Sequence, residues 1–389
     1  MSDNKLMSDY RMYRNIMEKL LIPIGMRSNQ NPGFIIRCLP YIQTLLSVLM
    51  FFAIFGFVRL HIADIASVTR GLSIMITFAT ATMKMGCLII YRKEMEELHE
   101  ILNPYFNELL KKSNITHIIL EQLTLFRRLT WTFLFFLIIC GLTWNIIPLF
   151  SIISQYFHHV HPIHYNLIFP AVYPWNVSSS EVLFRFHFIF ESFASISLVT
   201  VTASVNSLFP FYIFLMIGQL REFSYNISNT NEKNTSEKII KKCVDQYCTI
   251  IKCRDNLQKI FGPIVLWIMC TNAVILCTVI FQITNMKTIS RGRAFLFAAY
   301  TSLKFTEAFL FAWAGTCLTT ESENWRDSIY NSNWQGNKRF MTSIIIMLTQ
   351  KPIIVTACNF AAVSLDIFVM IVNTTISYFF LLRTIEHTD

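Results

Sequence analysis

The sequence is poor in charged residues, glycine and proline. Of its 389 residues only 15% are charged, and there are 11 glycines and 11 prolines. Ordinary soluble domains are about one-quarter charged, so this chain has too few charges to cover a globular surface of its size. The low glycine and proline content excludes collagen-like and low-complexity chains.

Signatures of catalysis and metal binding are also missing from the sequence. No zinc-protease motif, glycine-rich phosphate loop or nucleophile elbow occurs, so we expect neither an enzyme nor a cofactor. Four histidines crowd one predicted loop, at His158, His159, His161 and His164. A histidine-rich loop alone is weak support for a Zn²⁺ site, so we expect no metal. The first 33 residues lack an apolar segment with a cleavage site, which argues against a signal peptide.

Hydrophobic residues make up 53% of the chain and cluster in long blocks. A transmembrane helix needs about 20 apolar residues to cross the lipid bilayer, and seven segments meet this requirement. They are residues 35–58, 65–91, 129–153, 182–217, 257–283, 294–319 and 353–382. The sequence therefore predicts an all-α membrane protein with seven transmembrane helices.

Lysine and arginine outside these segments are distributed unequally between the two sides of the predicted membrane. The side with the N-terminus carries 22 of them and the other side carries five. Positive charge marks the cytoplasmic side, so we expect a cytoplasmic N-terminus and an extracellular C-terminus, inverted relative to G-protein-coupled receptors. Membrane topology thus accounts for the net charge of +9, and nucleic acid is not an expected partner.

Two further features agree with this topology. The triplet Asn176-Val177-Ser178 is a glycosylation acceptor in a predicted extracellular loop. None of the ten cysteines lies in such a loop, whereas a rhodopsin-like receptor usually carries an extracellular disulfide there. The Asp-Arg-Tyr triplet of that receptor class is also absent.

These assignments divide the chain into five parts. Residues 1–34 form a cytoplasmic N-terminus, and residues 35–217 contain the first four transmembrane helices. Residues 218–256 form a cytoplasmic helical loop, and residues 257–352 contain helices five and six with cytoplasmic helices. Residues 353–389 contain the seventh helix and a short extracellular tail.

Ionisable residues inside the predicted spans need a partner or a route to water, because an isolated charge there costs about 2.5–3.5 kcal/mol. Lys304 and Glu307 share one face of the sixth span, which favours a buried ion pair over a polar pocket wall. Lys84 lies near the end of the second span, and we expect it to snorkel to the membrane surface. His187 and Glu191 either face a cavity or form a hydrogen bond to another helix.

Polar residues of the seventh span lie along one stripe. At 100° per residue they fall within about 20° of one line. The stripe consists of Asp366, Asn373, Ser377 and Thr384. Such a stripe either joins helices by hydrogen bonds or lines a water-filled pore between several copies, and we favour the pore. A pore of this composition favours cations, and Leu381 and Ile385 would form an apolar constriction.

The last part of the chain resembles the C-terminal signature of insect odorant receptors. The residues that carry this resemblance are Glu321-Ser322, Tyr330, Trp334, Arg339, Gln350-Lys351-Pro352, Ala357, Phe360, Ser364, Phe368 and Ser377-Tyr378. The sequence lacks the terminal motifs of the related gustatory receptors and the long cytosolic insertion of the odorant receptor coreceptor. It therefore resembles an odorant-tuning subunit.

The resemblance implies a ligand-gated, non-selective cation channel in the plasma membrane, formed as a heterotetramer with the odorant receptor coreceptor. A small volatile odorant would bind in the outer half of spans two, three, four and six. The implied ligand-binding residues are Met75, Ala79, Trp144, Ile147, Phe184, His187, Phe188, Glu191, Phe297, Tyr300 and Thr301. The implied pore and gate residues are Asp366, Asn373, Ser377, Leu381, Thr384 and Ile385. The alternatives are a G-protein-coupled receptor and a gustatory-type receptor channel.

Overall fold

The structure is a computed structural model that describes residues 3–26, 34–111, 113–159, 166–175, 181–228, 236–285, 291–332 and 338–386. These residues form a nearly all-helical chain with one short β-hairpin. The elements are α1 (Asp3–Leu21), α2 (Phe34–Leu60), α3 (Ile65–Ile90), α4 (Arg92–Leu109), α5 (Ser113–Leu120), α6 (Leu123–Phe157), α7 (Glu181–Ser228), α8 (Ser236–Asn285), α9 (Arg291–Tyr330), α10 (Lys338–Leu348), β1 (Thr356–Ala357), β2 (Ala361–Ala362) and α11 (Leu365–Glu386).

Six of the described helices are long and apolar enough to cross a membrane: α2, α3, α6, α7, α8 and α9. The seventh, α11, contributes a shorter apolar stretch over Leu365–Leu381. This architecture confirms the predicted multi-pass, all-α fold with seven spans. Helices α7 and α8 have 48 and 50 residues, so both extend well beyond the thickness of a bilayer.

Helices α1, α4, α5 and α10 pack around one end of the bundle, which we call the basal end. The apolar residues of α4 recur at helical spacing, and Leu98, Leu102 and Phe106 are fully buried within the chain. The ring of Phe106 lies 5.6 Å from that of Phe214 on α7. The opposite end, which we call the distal end, carries the turn at residues 61–64 and the extended segment 166–175.

The predicted start of the seventh span is wrong. Residues 353–364 are not helical, and the chain there forms the antiparallel β1–β2 hairpin before α11 begins. At the hairpin turn, Cys358 and Asn359 have φ angles of 51° and 62°. Residues in this left-handed region interrupt a right-handed helix.

Side chains of the neighbouring helix α9 explain how the non-helical backbone of residues 353–364 is accommodated. The amide of Ile353 donates to the Ser322 hydroxyl at 2.8 Å, and the amide of Leu365 donates to the Thr316 hydroxyl at 2.9 Å. Within the segment, the Val363 amide donates to the Val355 carbonyl at 2.8 Å. These bonds satisfy backbone groups that a helix would otherwise pair internally.

Candidate functional site

Four aromatic residues from different elements meet in the distal half of the bundle: Phe78 on α3, Trp144 on α6, Phe169 in segment 166–175 and Tyr300 on α9. We call them the distal aromatic cluster. The ring of Trp144 lies 5.8 Å from Tyr300 and 5.7 Å from Phe169, and Phe78 lies 5.2 Å from Phe169 in an edge-to-face arrangement. Tilted and edge-to-face contacts of this kind are favourable for aromatic pairs.

The hydroxyl of Tyr300 links α9 to α3. Its oxygen lies 2.6 Å from the Thr77 hydroxyl oxygen, and Thr77 in turn donates to the Ser73 carbonyl at 2.8 Å. Because the single Thr77 proton is used in that second bond, Tyr300 is the donor to Thr77. The Tyr300 oxygen therefore keeps a lone pair with which it can accept a further hydrogen bond.

His187 and Glu191, the pair predicted to face a cavity or another helix, hold segment 166–175 against α7. The Glu191 carboxylate accepts from the Phe169 amide at 3.0 Å and from the Tyr173 hydroxyl at 2.9 Å. The His187 Nε2 atom accepts from the Trp175 indole at 3.0 Å. Burial, with the nearby Glu191 carboxylate as a second cause, raises the pKa of Tyr173, so its hydroxyl stays protonated and donates.

The remaining predicted ligand-binding residues lie on α3, α6, α7 and α9. Phe184 is buried and its ring lies 5.9 Å from that of Phe188. The half-buried ones are Met75, Ala79, Ile147, Phe188, Phe297 and Thr301. Sequence reasoning missed two members of the distal aromatic cluster. Phe78 adjoins the predicted Ala79, whereas Phe169 lies in a non-helical segment where no periodicity marks an inward-facing residue.

A buried charge cluster lies between α3, α7 and α9, formed by Lys84, Asn206, Lys304 and Glu307. The predicted Lys304–Glu307 ion pair is confirmed, with 2.8 Å between Nζ and Oε2. The predicted snorkelling of Lys84 is wrong, because its side chain is 1% exposed and its Nζ atom lies 2.8 Å from Glu307 Oε1. The Asn206 amide also donates to Oε1 at 2.8 Å.

Lys84 points inward because it has a buried partner there, and that partner lies on a helix distant in sequence. A buried ammonium group is costly unless a carboxylate compensates it, and Glu307 on α9 supplies that carboxylate. The cluster also adjoins the distal aromatic cluster, since Lys304 Nζ lies 5.9 Å from the centroid of the Tyr300 ring.

The predicted pore stripe lies on the outer face of α11. Five of its predicted side chains are exposed, namely Asp366, Asn373, Ser377, Leu381 and Thr384. The opposite face packs on α8 and α9 through Ile367 and Ile371.

The side chain of Ile385 and the acceptor Asn176 lie outside the described residues, as do His161 and His164. Among the described residues, no group of three or more potential metal ligands occurs.

An apolar cavity of about 310 Å³ separates the distal end of α3 from the distal part of α11. Ile62, Ile65 and Thr69 line one wall, and Tyr378 and Leu381 line another. The α3 helix therefore reaches from the hydrogen bond at Tyr300 to the vicinity of the predicted gate.

Comparisons with known proteins agree with this architecture. A family model described as 7tm Odorant receptor matches residues 64–376. Odorant receptor 13a of Drosophila melanogaster is 27% identical over 249 residues, and Odorant receptor 47a of the same species is 25% identical over 235 residues. The chain spans 59% of the length of each of these two relatives, and the matches cover 59% and 56% of this chain.

The fold is shared with a solved insect olfactory receptor. The structure of OR5 from Machilis hrabei in complex with eugenol superposes with a TM-score of 0.79 at 16% sequence identity, and the match covers 97% of this chain and 100% of that one. The OR5 structure described without eugenol gives a TM-score of 0.77. Since the family model extends from the beginning of α3 into α11, the chain belongs to the 7tm odorant receptor family.

Proposed function

We propose that this protein is an odorant-tuning subunit of a ligand-gated, non-selective cation channel that assembles with the odorant receptor coreceptor in the plasma membrane. Family membership supports the receptor assignment. The observation that carries the proposal is the distal aromatic cluster, where α3, α6, α9 and segment 166–175 converge on Trp144 and Tyr300. The basal end would face the cytoplasm, with Asn176 outside as a glycosylation site.

The chemistry of the distal aromatic cluster suits a small volatile ligand. Apolar surface removed from water contributes about 25 cal/mol per Å², and aromatic walls add weakly directional contacts. The free acceptor site on the Tyr300 hydroxyl would orient a ligand that carries one hydroxyl group. One solved relative of the same fold is described in complex with eugenol.

Glu191 and His187 would act on the ligand indirectly, as positioning residues. Their side chains bond to segment 166–175 and thereby fix Phe169 against Trp144. Among the other predicted ligand-binding residues, Thr301 has a buried hydroxyl with no hydrogen-bond partner in the described part of the chain. That hydroxyl is available to a ligand.

Permeation would follow the exposed stripe of α11. One helix cannot enclose a conduit, whereas several subunits around an axis can bring their stripes together. The carboxylate of Asp366 would favour permeant cations, and Leu381 with Ile385 would form the apolar gate. A ligand opens such a pore only to the extent that it binds the open arrangement more tightly than the closed one.

A route for this coupling runs along α3. The Tyr300–Thr77 bond joins the ligand-binding half of α9 to α3. The distal end of α3 faces Tyr378 and Leu381 across the apolar cavity. A ligand that displaces Tyr300 would thus move a helix that borders the gate.

The test is a pair of tryptophan substitutions on α6. Trp144→Ala removes a ring of the distal aromatic cluster, whereas Trp131→Ala removes an exposed ring and serves as the matched control. Each variant is expressed with the coreceptor, and odorant-evoked currents are recorded across a panel of volatiles. We expect Trp144→Ala to raise the half-maximal concentration about tenfold or more, which is the loss of roughly 1.4 kcal/mol of binding free energy.

Surface labelling of a tag placed after Asp389 separates loss of binding from loss of expression. Labelling of intact cells supports the extracellular C-terminus, and labelling only after permeabilisation contradicts it. The ligand site is wrong if both tryptophan variants keep the parental response profile. The channel proposal is wrong if no volatile evokes current from protein that is present at the surface together with the coreceptor.

A further inference from the structure

We infer that the buried charge cluster binds a small monovalent anion, a halide or a carboxylate, between Lys84 and Lys304. The first argument is the charge balance. Two ammonium groups face the single carboxylate of Glu307, and the three side chains are only 1%, 5% and 1% exposed. A net positive charge enclosed in this way favours a bound counter-charge, because bulk water does not solvate it.

The second argument is the count of hydrogen bonds. A lysine ammonium group has three N–H donors, and among the described residues each of the two lysines makes one bond, in both cases to Glu307. Both carboxylate oxygens are already engaged, since Asn206 also donates to Oε1. Four buried N–H donors therefore have no acceptor within the described protein.

Neighbouring groups do not supply the missing negative charge. The other titratable groups that interact with Lys304 are the Tyr300 hydroxyl and the Cys140 thiol, which are neutral at physiological pH. Among the described titratable groups, those that interact with Lys84 are Glu307 and Lys304. The counter-charge must then come from outside the described chain, or one lysine must lose its proton.

A further donor lies on the same helix face as Lys304. The Thr301 hydroxyl lies three residues before Lys304 on the same helix, and it is buried without a partner among the described residues. Residues three apart share one helix face. Two ammonium groups and a hydroxyl form a donor set that suits a halide ion or a carboxylate group.

Two sources of such an anion fit the position of the cluster. Inorganic chloride is one source, and this arm is independent of the proposed function. The carboxylate of an acidic odorant is the other, because Tyr300 of the distal aromatic cluster adjoins Lys304 at 5.9 Å. This second arm rests on the proposed function and would add organic acids to the ligand classes of the receptor.

The experiment measures thermal unfolding of the full chain in lipid nanodiscs. Sodium chloride is compared with sodium gluconate at equal ionic strength, since gluconate carries five hydroxyl groups and is too hydrophilic for an enclosed site with apolar walls. In gluconate buffer, hexanoate is then compared with hexanol, which has the same alkyl chain without the charge. An anion present at several times its Kd should raise the Tm by about 2 °C or more.

Lys304→Gln is the diagnostic variant, because it leaves a neutral Lys84–Glu307 pair and removes the excess charge. We expect it to abolish the anion-dependent shift in Tm. Lys111→Gln removes an exposed lysine and should leave the shift unchanged. If Lys304→Gln does not fold, Lys84→Gln replaces it, since it leaves the Lys304–Glu307 pair neutral in the same way.

Each outcome decides the inference. A shift with chloride that Lys304→Gln abolishes identifies an inorganic anion site, and a shift with hexanoate beyond hexanol identifies a carboxylate ligand. The inference is overturned if neither anion shifts the Tm of the parental chain, or if the anion shifts the Tm of Lys304→Gln by as much as that of the parental chain. A neutral lysine then explains the cluster. Odorant-evoked currents in the absence of any shift would leave the proposed function standing.

Discussion

Glu307 is the residue on which the stability of the bundle centre depends most directly. Glu307→Gln removes the carboxylate that accepts three hydrogen bonds of 2.8 Å from Lys84, Lys304 and Asn206. The substitution leaves two buried ammonium groups without a carboxylate partner in the described chain. Removing one partner of a buried ion pair costs about 3–5 kcal/mol, against a total unfolding free energy of roughly 5–15 kcal/mol.

The expected result is a large loss of thermal stability. At roughly 2–4 °C per kcal/mol for chains of about 200 residues, Glu307→Gln should lower the Tm by roughly 6–20 °C. The measurement is the unfolding temperature of the purified chain in detergent, followed by tryptophan fluorescence. Glu323→Gln is the matched control, because that glutamate lies on the same helix with an exposed side chain.

Lys304→Gln tests the reasoning behind this magnitude. It removes a charge from the same cluster but leaves one cation paired with one carboxylate, so it should be far less damaging. The charge argument fails if Glu307→Gln unfolds within about 2 °C of the parental chain. It also fails if Lys304→Gln and Glu307→Gln lower the Tm equally, since burial alone would then explain both.

Three further predictions concern other parts of the chain. A Cβ atom at Gly315 would overlap the Val363 carbonyl oxygen, so Gly315→Ala should lower the Tm by several degrees, while Gly86→Ala, which meets nothing within 4 Å, should not. Asp366→Asn should reduce the permeability to Ca²⁺ relative to Na⁺, because it neutralises the exposed carboxylate of the α11 stripe; unchanged reversal potentials would count against pore lining. Burial lowers the pKa of His99, so the unfolded chain binds a proton more readily and the Tm should fall as the pH drops below about 6.5. His99→Gln should reduce that fall between about pH 7.5 and about pH 5.5.

The sequence predicts the spans well because long apolar blocks leave little choice of structure in a bilayer. The exception is residues 353–364, before α11. They are apolar, and the sequence therefore predicts them as part of the seventh span, but they are not helical. Their extended form depends on hydrogen bonds that backbone amides at their two ends donate to the hydroxyl groups of Ser322 and Thr316, which lie on α9. Hydropathy reports the environment of a segment and carries no information about such remote partners.

The candidate site shows the same division between local and long-range information. Lys304 and Glu307 lie one turn apart on one helix, so their pairing follows from helical geometry. Lys84 lies 223 positions from Glu307 in the sequence, and no local pattern reveals that contact. Phe169 lies in a segment without regular structure, and it is held beside Trp144 by the hydrogen bond that its amide donates to Glu191 on α7.

The length of α11 ties this protein to the thickness of its membrane. Helix α11 has 22 residues and spans about 33 Å at 1.5 Å per residue, close to the roughly 30 Å of a typical hydrocarbon core. The β1–β2 hairpin precedes α11, and backbone amides in and beside it donate hydrogen bonds to side chains of α8 and α9. Because α11 is the shortest of the seven spanning helices described, a thicker bilayer would concentrate hydrophobic mismatch on the helix that would have to move when the proposed pore opens. If the proposed pore opens in this way, acyl-chain length would act as a mechanical input to gating, alongside the odorant.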